Sequence, residues 1–276
     1  MSNYSPCPPC SLWLIQKGNL LASSLFDLTG KVAVITGSTR GIGRAIAEEL
    51  ARAGAKVVIS SRKVEACEEV TAALCAEGLE AVSIPCNISK KDQLENLVAA
   101  TRKAYGQIDV LVCNAALNPY YGPMAGASDE VFTKVMAVNI QSNLWLSNMV
   151  LPEMAERKDG AVIIVSSIGG LKGSTTLGLY CISKAADFQL VRNLAVEWGE
   201  HNIRVNAIAP GLVKTDFAKA LWDNPKTLAH YERNTPLRRI GESEDIAGAA
   251  VFLASKAGAW MTGQQIVIDG GVTISG

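Results

Sequence analysis

Short apolar runs rich in β-branched residues alternate along this chain with stretches whose apolar positions recur every three to four residues. The runs fall at residues 32–36, 56–60, 81–85, 109–113, 161–166, 204–208 and 265–268. Several are apolar almost without a break, the pattern of strands covered on both faces. Between them the period changes. Ile42, Ile46 and Leu50 share one face of a predicted helix that Gly54 stops. Leu94, Leu97, Val98 and Thr101 mark a second helix over residues 90–105, ended by Gly106. A third spans residues 128–149 and leads into Leu151 and Pro152. Strands alternating with helices, joined by right-handed crossovers, predict an α/β chain. The expected fold is a single Rossmann-type doubly wound parallel sheet of about seven strands with helices on both faces. No composition break interrupts residues 28–271, so residues 26–276 are expected to form one domain.

Two segments depart from this rhythm. Residues 1–25 hold Pro6, Pro8 and Pro9 and an apolar patch of Leu12, Trp13, Leu14 and Ile15. They lack the basic start and cleavage site of a secretory signal, and are expected to be a poorly ordered extension. Residues 212–242 contain Asn224, Pro225, Asn234 and Pro236, with a small helical pattern from Phe217 to Trp222. This stretch follows a strand end and is expected to form a lid over the ligand crevice.

Composition removes several function classes. Apolar residues make up 49% of the 276 and charged residues 19%, an ordinary soluble globular mix. Basic and acidic residues balance at 26 each, so no basic footprint points to nucleic acid. No stretch approaches the ~18 apolar residues of a membrane span. Seven scattered cysteines in a chain with a large core argue for a reduced, cytoplasmic setting over a disulfide scaffold. Cys7 and Cys10 have metal-like spacing but no second pair, and His201 and His230 lie far along the chain, so no metal is expected. The C-terminal residues Ile274, Ser275 and Gly276 do not form the S-K-L peroxisomal address.

The first chemical signal follows the first strand. Gly37, Ser38, Thr39, Arg40, Gly41, Ile42 and Gly43 form a glycine turn leading into a helix. Gly37 permits the tight turn, and Gly41 and Gly43 let backbone approach a pyrophosphate. The helix start offers free N–H groups and a positive dipole end to phosphate. The second strand then ends in Ser60, Ser61, Arg62 and Lys63, with no carboxylate. An acid there would bind the ribose 2′-OH of NAD; Ser61, Arg62 and Arg40 suit a 2′-phosphate, so NADP(H) is expected in preference to NAD(H).

The second signal is Ser167 at a strand end, Tyr180 thirteen residues on, and Lys184 four beyond that. Tyr180 and Lys184 share a helix face. A free phenol has a pKa of ~10, and a neighbouring ammonium is expected to lower it. The phenol can then exchange a proton with a substrate oxygen that Ser167 holds.

With these residues the chain resembles the short-chain dehydrogenase/reductase family over about residues 28–271. The glycine turn matches the family's T-G-x-x-x-G-x-G motif, and Ser167, Tyr180 and Lys184 match its triad. The resemblance implies that Asn139 is a fourth catalytic member, holding a water that links Lys184 to solvent. It also implies that Asn114, Ala115 and Ala116 support the sheet beside the adenosine ribose. Asn87 and Ile88 would lie at the adenine, and Pro210, Gly211, Val213 and Thr215 at the nicotinamide. Asp269, Gly270 and Gly271 match the usual C-terminal motif. Two positions depart from the pattern: Ala116 replaces a glycine, and Asn87 replaces the usual aspartate that meets the adenine amine.

Within the family the chain is similar to the NADPH-dependent carbonyl reductase branch. The implied reaction is reversible hydride transfer between nicotinamide and a neutral, fairly bulky ketone. The pocket is expected to draw on Leu117, Tyr121, Ile168, Phe217 and Trp222, mostly apolar residues. Similarity to 3-oxoacyl-acyl-carrier-protein reductases is also considerable, but Glu197 and Glu200 would repel an acidic carrier. A non-catalytic NADP-binding sensor on the same fold is the alternative from another class, and the intact triad counts against it. Lys184 and the intact glycine turn likewise argue against halohydrin dehalogenation. The family resemblance implies a homotetramer.

Overall fold

The computed structural model describes residues 25–275, so the extension expected before them lies, but for Leu25, outside the described residues. Seven parallel strands form one sheet: β1 (Val32–Thr36), β2 (Lys56–Ser60), β3 (Ala81–Ser83), β4 (Val110–Cys113), β5 (Gly160–Val165), β6 (Ile203–Pro210) and β7 (Gln265–Ile268). Their order across the sheet is β3-β2-β1-β4-β5-β6-β7. The direction of winding therefore reverses between β1 and β4, where doubly wound sheets leave a crevice at the carboxyl ends of their strands.

Side-chain alternation explains the unbroken apolar runs. Ala33 and Ile35 of β1 join one core with Val57, Ile59, Val110 and Val112. Val34, one position away, joins the other with Val58, Leu111 and Ile164. The first core is closed by helices α1 (Gly41–Arg52), α2 (Val64–Ala76) and, from the chain's end, Glu244–Ala254. The second is closed by α3 (Lys91–Tyr105), Ser142–Arg157 and Gly178–Trp198. In chain order the helices after α3 are α4 (Asp129–Met136), α5 (Ser142–Arg157), α6 (Gly178–Trp198), α7 (Lys219–Trp222), α8 (Pro225–Asn234) and α9 (Glu244–Ala254). Each fully buried large apolar side chain contributes about 1.5–3 kcal/mol.

Two ionic side chains, Asp109 buried and Arg204 half-buried, tie ends together. Asp109 accepts the backbone N–H of Val32 at 2.8 Å and so fixes the start of β1 beside β4. Arg204 of β6 donates to the carbonyl oxygens of Gly258 at 3.0 Å and Ala254 at 3.2 Å, satisfying acceptors that the end of α9 leaves free.

Three expectations shift. The third predicted helix runs on through Pro152 to Arg157. Leu151 and Met154 are fully buried there, and their packing outweighs the missing proline N–H. Its middle, Ala137–Gln141, is a π-helical turn between α4 and α5. The stretch 212–242 carries two helices, and α8 was not foreseen; Asn224 caps it by accepting the N–H of Lys226 at 2.9 Å, with Pro225 in its first turn. That stretch leaves and returns through one bridge, with Lys214 N–H donating to Gly241 O at 2.8 Å and Gly241 N–H to Leu212 O at 2.9 Å. Among the described residues no helix is long and apolar enough to cross a membrane.

Candidate active site

The glycine turn sits at the crevice because β1 ends there and α1 begins. Gly37 has φ +69°, a left-handed conformation that suits glycine. A Cβ on Gly43 would lie 2.3 Å from Asn114 Nδ2 and 2.4 Å from the Gly37 carbonyl, so only glycine fits. Asn114 clamps the turn from β4, donating to Thr36 O at 2.9 Å. The Thr36 hydroxyl accepts the N–H groups of Asn114 and Ala115 at 3.0 and 3.1 Å. Among the described residues no side chain caps the start of α1, which leaves its first N–H groups facing the crevice. An anionic pyrophosphate fits that arrangement.

Not every residue of the turn is available to a ligand. Ser38 is fully buried; it donates to Ile35 O and accepts the Ser60 N–H, both at 2.8 Å, and so joins the turn to β2. Thr39 is half-buried, and Ile42 lines the neighbouring cavity. Arg40, expected at the 2′-phosphate corner, reaches across the crevice to Asp216 at 3.1 Å. Arg62, past the end of β2, is exposed and makes no hydrogen bond or ion pair among the described residues. Ser61 turns its hydroxyl toward Cys67 Sγ at 3.3 Å. The Asn87 side-chain oxygen accepts from Ser89 N–H and Oγ, which leaves its amide N–H groups as what it can offer. Ile88 is half-buried beside it, packed on the second core, and Ala116 is half-buried next to Ala115.

The catalytic candidates converge from three elements. Ser167 follows β5, and Tyr180 and Lys184 lie in the first turns of α6. Ser167 and Tyr180 share one wall of a cavity of about 500 Å³. The Ser167 hydroxyl accepts the Gly169 N–H at 3.0 Å and faces the Tyr180 phenol. The phenol ring lies 6.0 Å from that of Phe217, centroid to centroid. Lys184 is buried behind Tyr180, its Nζ 5.7 Å from the phenol ring centroid. That ammonium donates to Val165 O and to Asp187 Oδ2, both at 3.0 Å.

Electrostatics here differ from the expectation. Burial pushes the Tyr180 phenol above its ordinary value, and Lys184 opposes this without overcoming it. Asp187, one turn further along, adds to the upward push. Burial likewise disfavours the Lys184 ammonium, but Asp187 and Tyr180 hold it charged and raise its pKa overall. Sequence reasoning did not single out Asp187; its i, i+3 spacing from Lys184 was the available signal.

Asn139 lies in the π turn and is fully buried. Its oxygen accepts the Leu117 N–H at 2.9 Å; its amide donates to Leu117 O and Ser183 Oγ, both at 3.0 Å. The side chain thus ties the loop after β4 to α6, and among the described residues it makes no hydrogen bond to Lys184.

Tyr121, Ile168 and Phe217 line the cavity, as do Pro210, Gly211, Val213 and Thr215. Leu117 and Trp222, also expected there, stand apart from it. Asn139 grips the backbone of Leu117, and the Trp222 indole donates to Thr215 O at 2.9 Å, fastening α7 to the strand exit. Lys172 and Asp269, not foreseen as pocket residues, join the lining. Glu197 falls near the far end of α6, about 25 Å from Tyr180 at 1.5 Å per residue, and Glu200 in the turn beyond it, so their charge does not guard the pocket.

Comparison with known proteins follows this geometry. Residues 37–273 match a family model described as enoyl-(acyl carrier protein) reductase. The chain is 43% identical over 244 residues to dehydrogenase/reductase SDR family member 4 of Sus scrofa, covering 88% of each chain. It is 43% identical over 262 residues to dehydrogenase/reductase SDR family member 2, mitochondrial, of Homo sapiens, covering 95% of this chain and 93% of that one. Among solved structures, a gluconate 5-dehydrogenase from Burkholderia cenocepacia J2315 in complex with NADP and tartrate superposes with a TM-score of 0.88 at 30% identity, covering 92% of this chain and 99% of that one.

Proposed function

The chain belongs to the short-chain dehydrogenase/reductase family, and from that premise we propose that it is an NADPH-dependent ketone reductase, reversible as an alcohol dehydrogenase. The observation that carries this reading is the shared cavity wall of Ser167 and Tyr180, with the Lys184 ammonium buried directly behind. Bound NADPH would supply the hydride. Tyr180 gives its phenolic proton to the substrate oxygen, and Ser167 donates a hydrogen bond that orients that oxygen. Lys184, held by Val165 O, lies behind Tyr180 and would offer its ammonium to a ribose hydroxyl of the bound cofactor. Asn139 keeps the loop at Leu117 in register with α6, and a water near it would return the proton to Tyr180 through Lys184.

Residues able to hold the cofactor are Gly37, Gly41 and Gly43 with the first N–H groups of α1 at the pyrophosphate. Asn87 and Ile88 serve the adenine, and Asn114, Ala115 and Ala116 the ribose. Pro210, Gly211, Val213 and Thr215 serve the nicotinamide. Exposed Arg62 favours NADP(H) over NAD(H), with Ser61 beside it. Tyr121, Ile168 and Phe217 make a largely apolar pocket for a neutral, bulky ketone, and residues 212–242 close over it as a lid of one domain.

Phe132, Leu144 and Val196 on α4, α5 and α6, and Trp260 and Val267 around β7, are exposed large apolar residues on separate elements. They support assembly into a homotetramer, which sedimentation would test. A cytoplasmic setting follows from composition; cell fractionation tests it, since one relative is named as mitochondrial.

The functional test is absorbance at 340 nm with NADPH or NADH and a carbonyl panel of α-diketones, aryl ketones, a β-ketoester and a 3-oxoacyl thioester. Turnover with NADPH on diketones or aryl ketones, abolished in Tyr180→Phe, supports the reading. Preference for NADH overturns the role of Arg62. Activity confined to the thioester moves the protein to acyl-carrier chemistry, which the remote Glu197 and Glu200 do not oppose. NADPH binding without turnover on any carbonyl points to the sensor alternative.

A further inference from the structure

Cys67 of α2 is fully buried in the first core, in company with Val57, Ile59 and Val70. Packing there asks only for a small apolar side chain. Yet the thiol meets every polar group of one residue, Ser61, which follows β2. The Ser61 N–H donates to Cys67 Sγ at 3.2 Å, the Ser61 hydroxyl lies 3.3 Å from the same sulfur, and the Ser61 carbonyl oxygen lies 3.7 Å from it. That carbonyl already accepts the N–H of Cys86 at 2.9 Å. Ser61 stands beside the glycine turn, because Gly37 and Ser38 donate their N–H groups to Ser60 O at 2.8 and 3.1 Å. Half-buried Ser61 is followed by exposed Arg62. The sulfur therefore lies directly behind the corner ascribed above to the 2′-phosphate.

The role of each group follows from what it can give. A backbone N–H only donates, so Cys67 Sγ accepts from Ser61 N. The thiol has one proton of its own. With the Ser61 carbonyl engaged by Cys86, the nearer acceptor for that proton is Ser61 Oγ. The serine oxygen then accepts from the core side, and its own proton is left to point outward. A phosphate dianion offers only acceptors, so it needs that proton. Resting on the NADP(H) reading, we propose that Cys67 is a positioning residue for cofactor discrimination: its thiol donates to Ser61 Oγ, fixes Ser61 at the end of β2 and turns the hydroxyl proton outward for the 2′-phosphate of NADP(H). An apolar side chain of similar volume would fill the core equally and leave the hydroxyl without direction.

The test uses two adenosine fragments that differ only in the group at issue, 2′,5′-ADP and 5′-AMP, titrated into the full-length protein by calorimetry. Wild type should bind 2′,5′-ADP more tightly. Cys67→Val keeps the bulk and removes the thiol; it should weaken 2′,5′-ADP about three- to tenfold, the worth of one hydrogen bond, and leave 5′-AMP unchanged. KM for NADPH should rise by the same factor with kcat unchanged. In a Ser61→Ala background Cys67→Val should have no further effect on 2′,5′-ADP, because the thiol acts through that hydroxyl. Cys67→Ser, which keeps a donor at the same place, should bind 2′,5′-ADP more tightly than Cys67→Val. A merely structural role would lower Tm and weaken both fragments alike, or weaken 2′,5′-ADP equally with and without Ser61, and either result overturns the proposal. Full 2′,5′-ADP affinity in Cys67→Val overturns it alone and leaves the NADP(H) reading standing. Equal binding of the two fragments by wild type overturns both. Should Cys67→Val fail to fold, Cys67→Ser against Cys67→Ala gives the same decision.

Discussion

Replacing Asn139 by leucine removes three hydrogen bonds from the centre of the molecule while nearly keeping the side-chain volume. The Leu117 N–H and C=O lose their partners, and Ser183 Oγ loses a donor but still gives its own proton to Tyr180 O at 2.7 Å. The Ser183 loss is therefore small. Leu117 is half-buried, so water recovers part of what its two backbone groups forfeit. Taking the lower half of the 1–3 kcal/mol range for each orphaned group gives about 2–4 kcal/mol of destabilisation. For a domain of this size that corresponds to a Tm fall of about 4–16 °C. Because the loop at Leu117 is then free of α6, kcat should fall as well. Asn139→Asp sharpens the test. Its second oxygen would face Leu117 O and the Ser183 hydroxyl oxygen, so the introduced carboxyl is neutral when most stable and its pKa rises above the unfolded value of about 3.9. A group raised in the folded state contributes stability at low pH and loses it as pH climbs through the folded value. The aspartate variant should lie closest to wild type in acid and fall behind toward pH 7. Scanning fluorimetry across pH, with 340 nm kinetics, reads both effects. A Tm unchanged in Asn139→Leu, or an aspartate variant that gains on wild type as pH rises, refutes the tether.

Three further outcomes follow from the same geometry. Gly43→Ala puts a methyl 2.3 Å from Asn114 Nδ2 and 2.4 Å from the Gly37 carbonyl; the turn must shift, at about 1–3 kcal/mol, and NADPH affinity should fall at least about tenfold by fluorescence titration. Arg62→Ala should raise KM for NADPH about 10- to 100-fold, the worth of one or two charge-assisted hydrogen bonds, and leave KM for NADH unchanged; equal effects on both would remove the 2′-phosphate from its role. Arg204→Met strips the donors from the end of α9 and should cost about 2–4 kcal/mol in urea unfolding with little change in KM; loss of NADPH binding without loss of stability would contradict the capping role.

Much of this molecule is legible in the chain because it follows from local sterics. The alternation that sends Ala33 and Ile35 to one face and Val34 to the other is set by strand geometry, and the helix pattern of Ile42, Ile46 and Leu50 by a 3.6-residue turn. The glycine turn and the i, i+4 pair of Tyr180 and Lys184 are likewise short-range patterns, which is why the sheet, its crevice and the meeting of Ser167 with Tyr180 could be expected from residue order alone. What the order of residues left open depends on partners distant in sequence. Nothing local says that Arg40 will reach Asp216, 176 positions away, or that Ser38 will be consumed in joining β1 to β2. Trp222 and Phe217 lie on the same short segment, yet only packing sends one ring to the cavity and the other indole to Thr215 O. The charge state of Tyr180 is the clearest case. Spacing alone places a lysine beside the phenol and predicts a lowered pKa. The tertiary structure buries both and sets Asp187 against the lysine, and desolvation with that counter-charge reverses the sign. Periodicity and backbone strain act over one turn of chain, whereas burial and electric field are sums over everything the fold brings near.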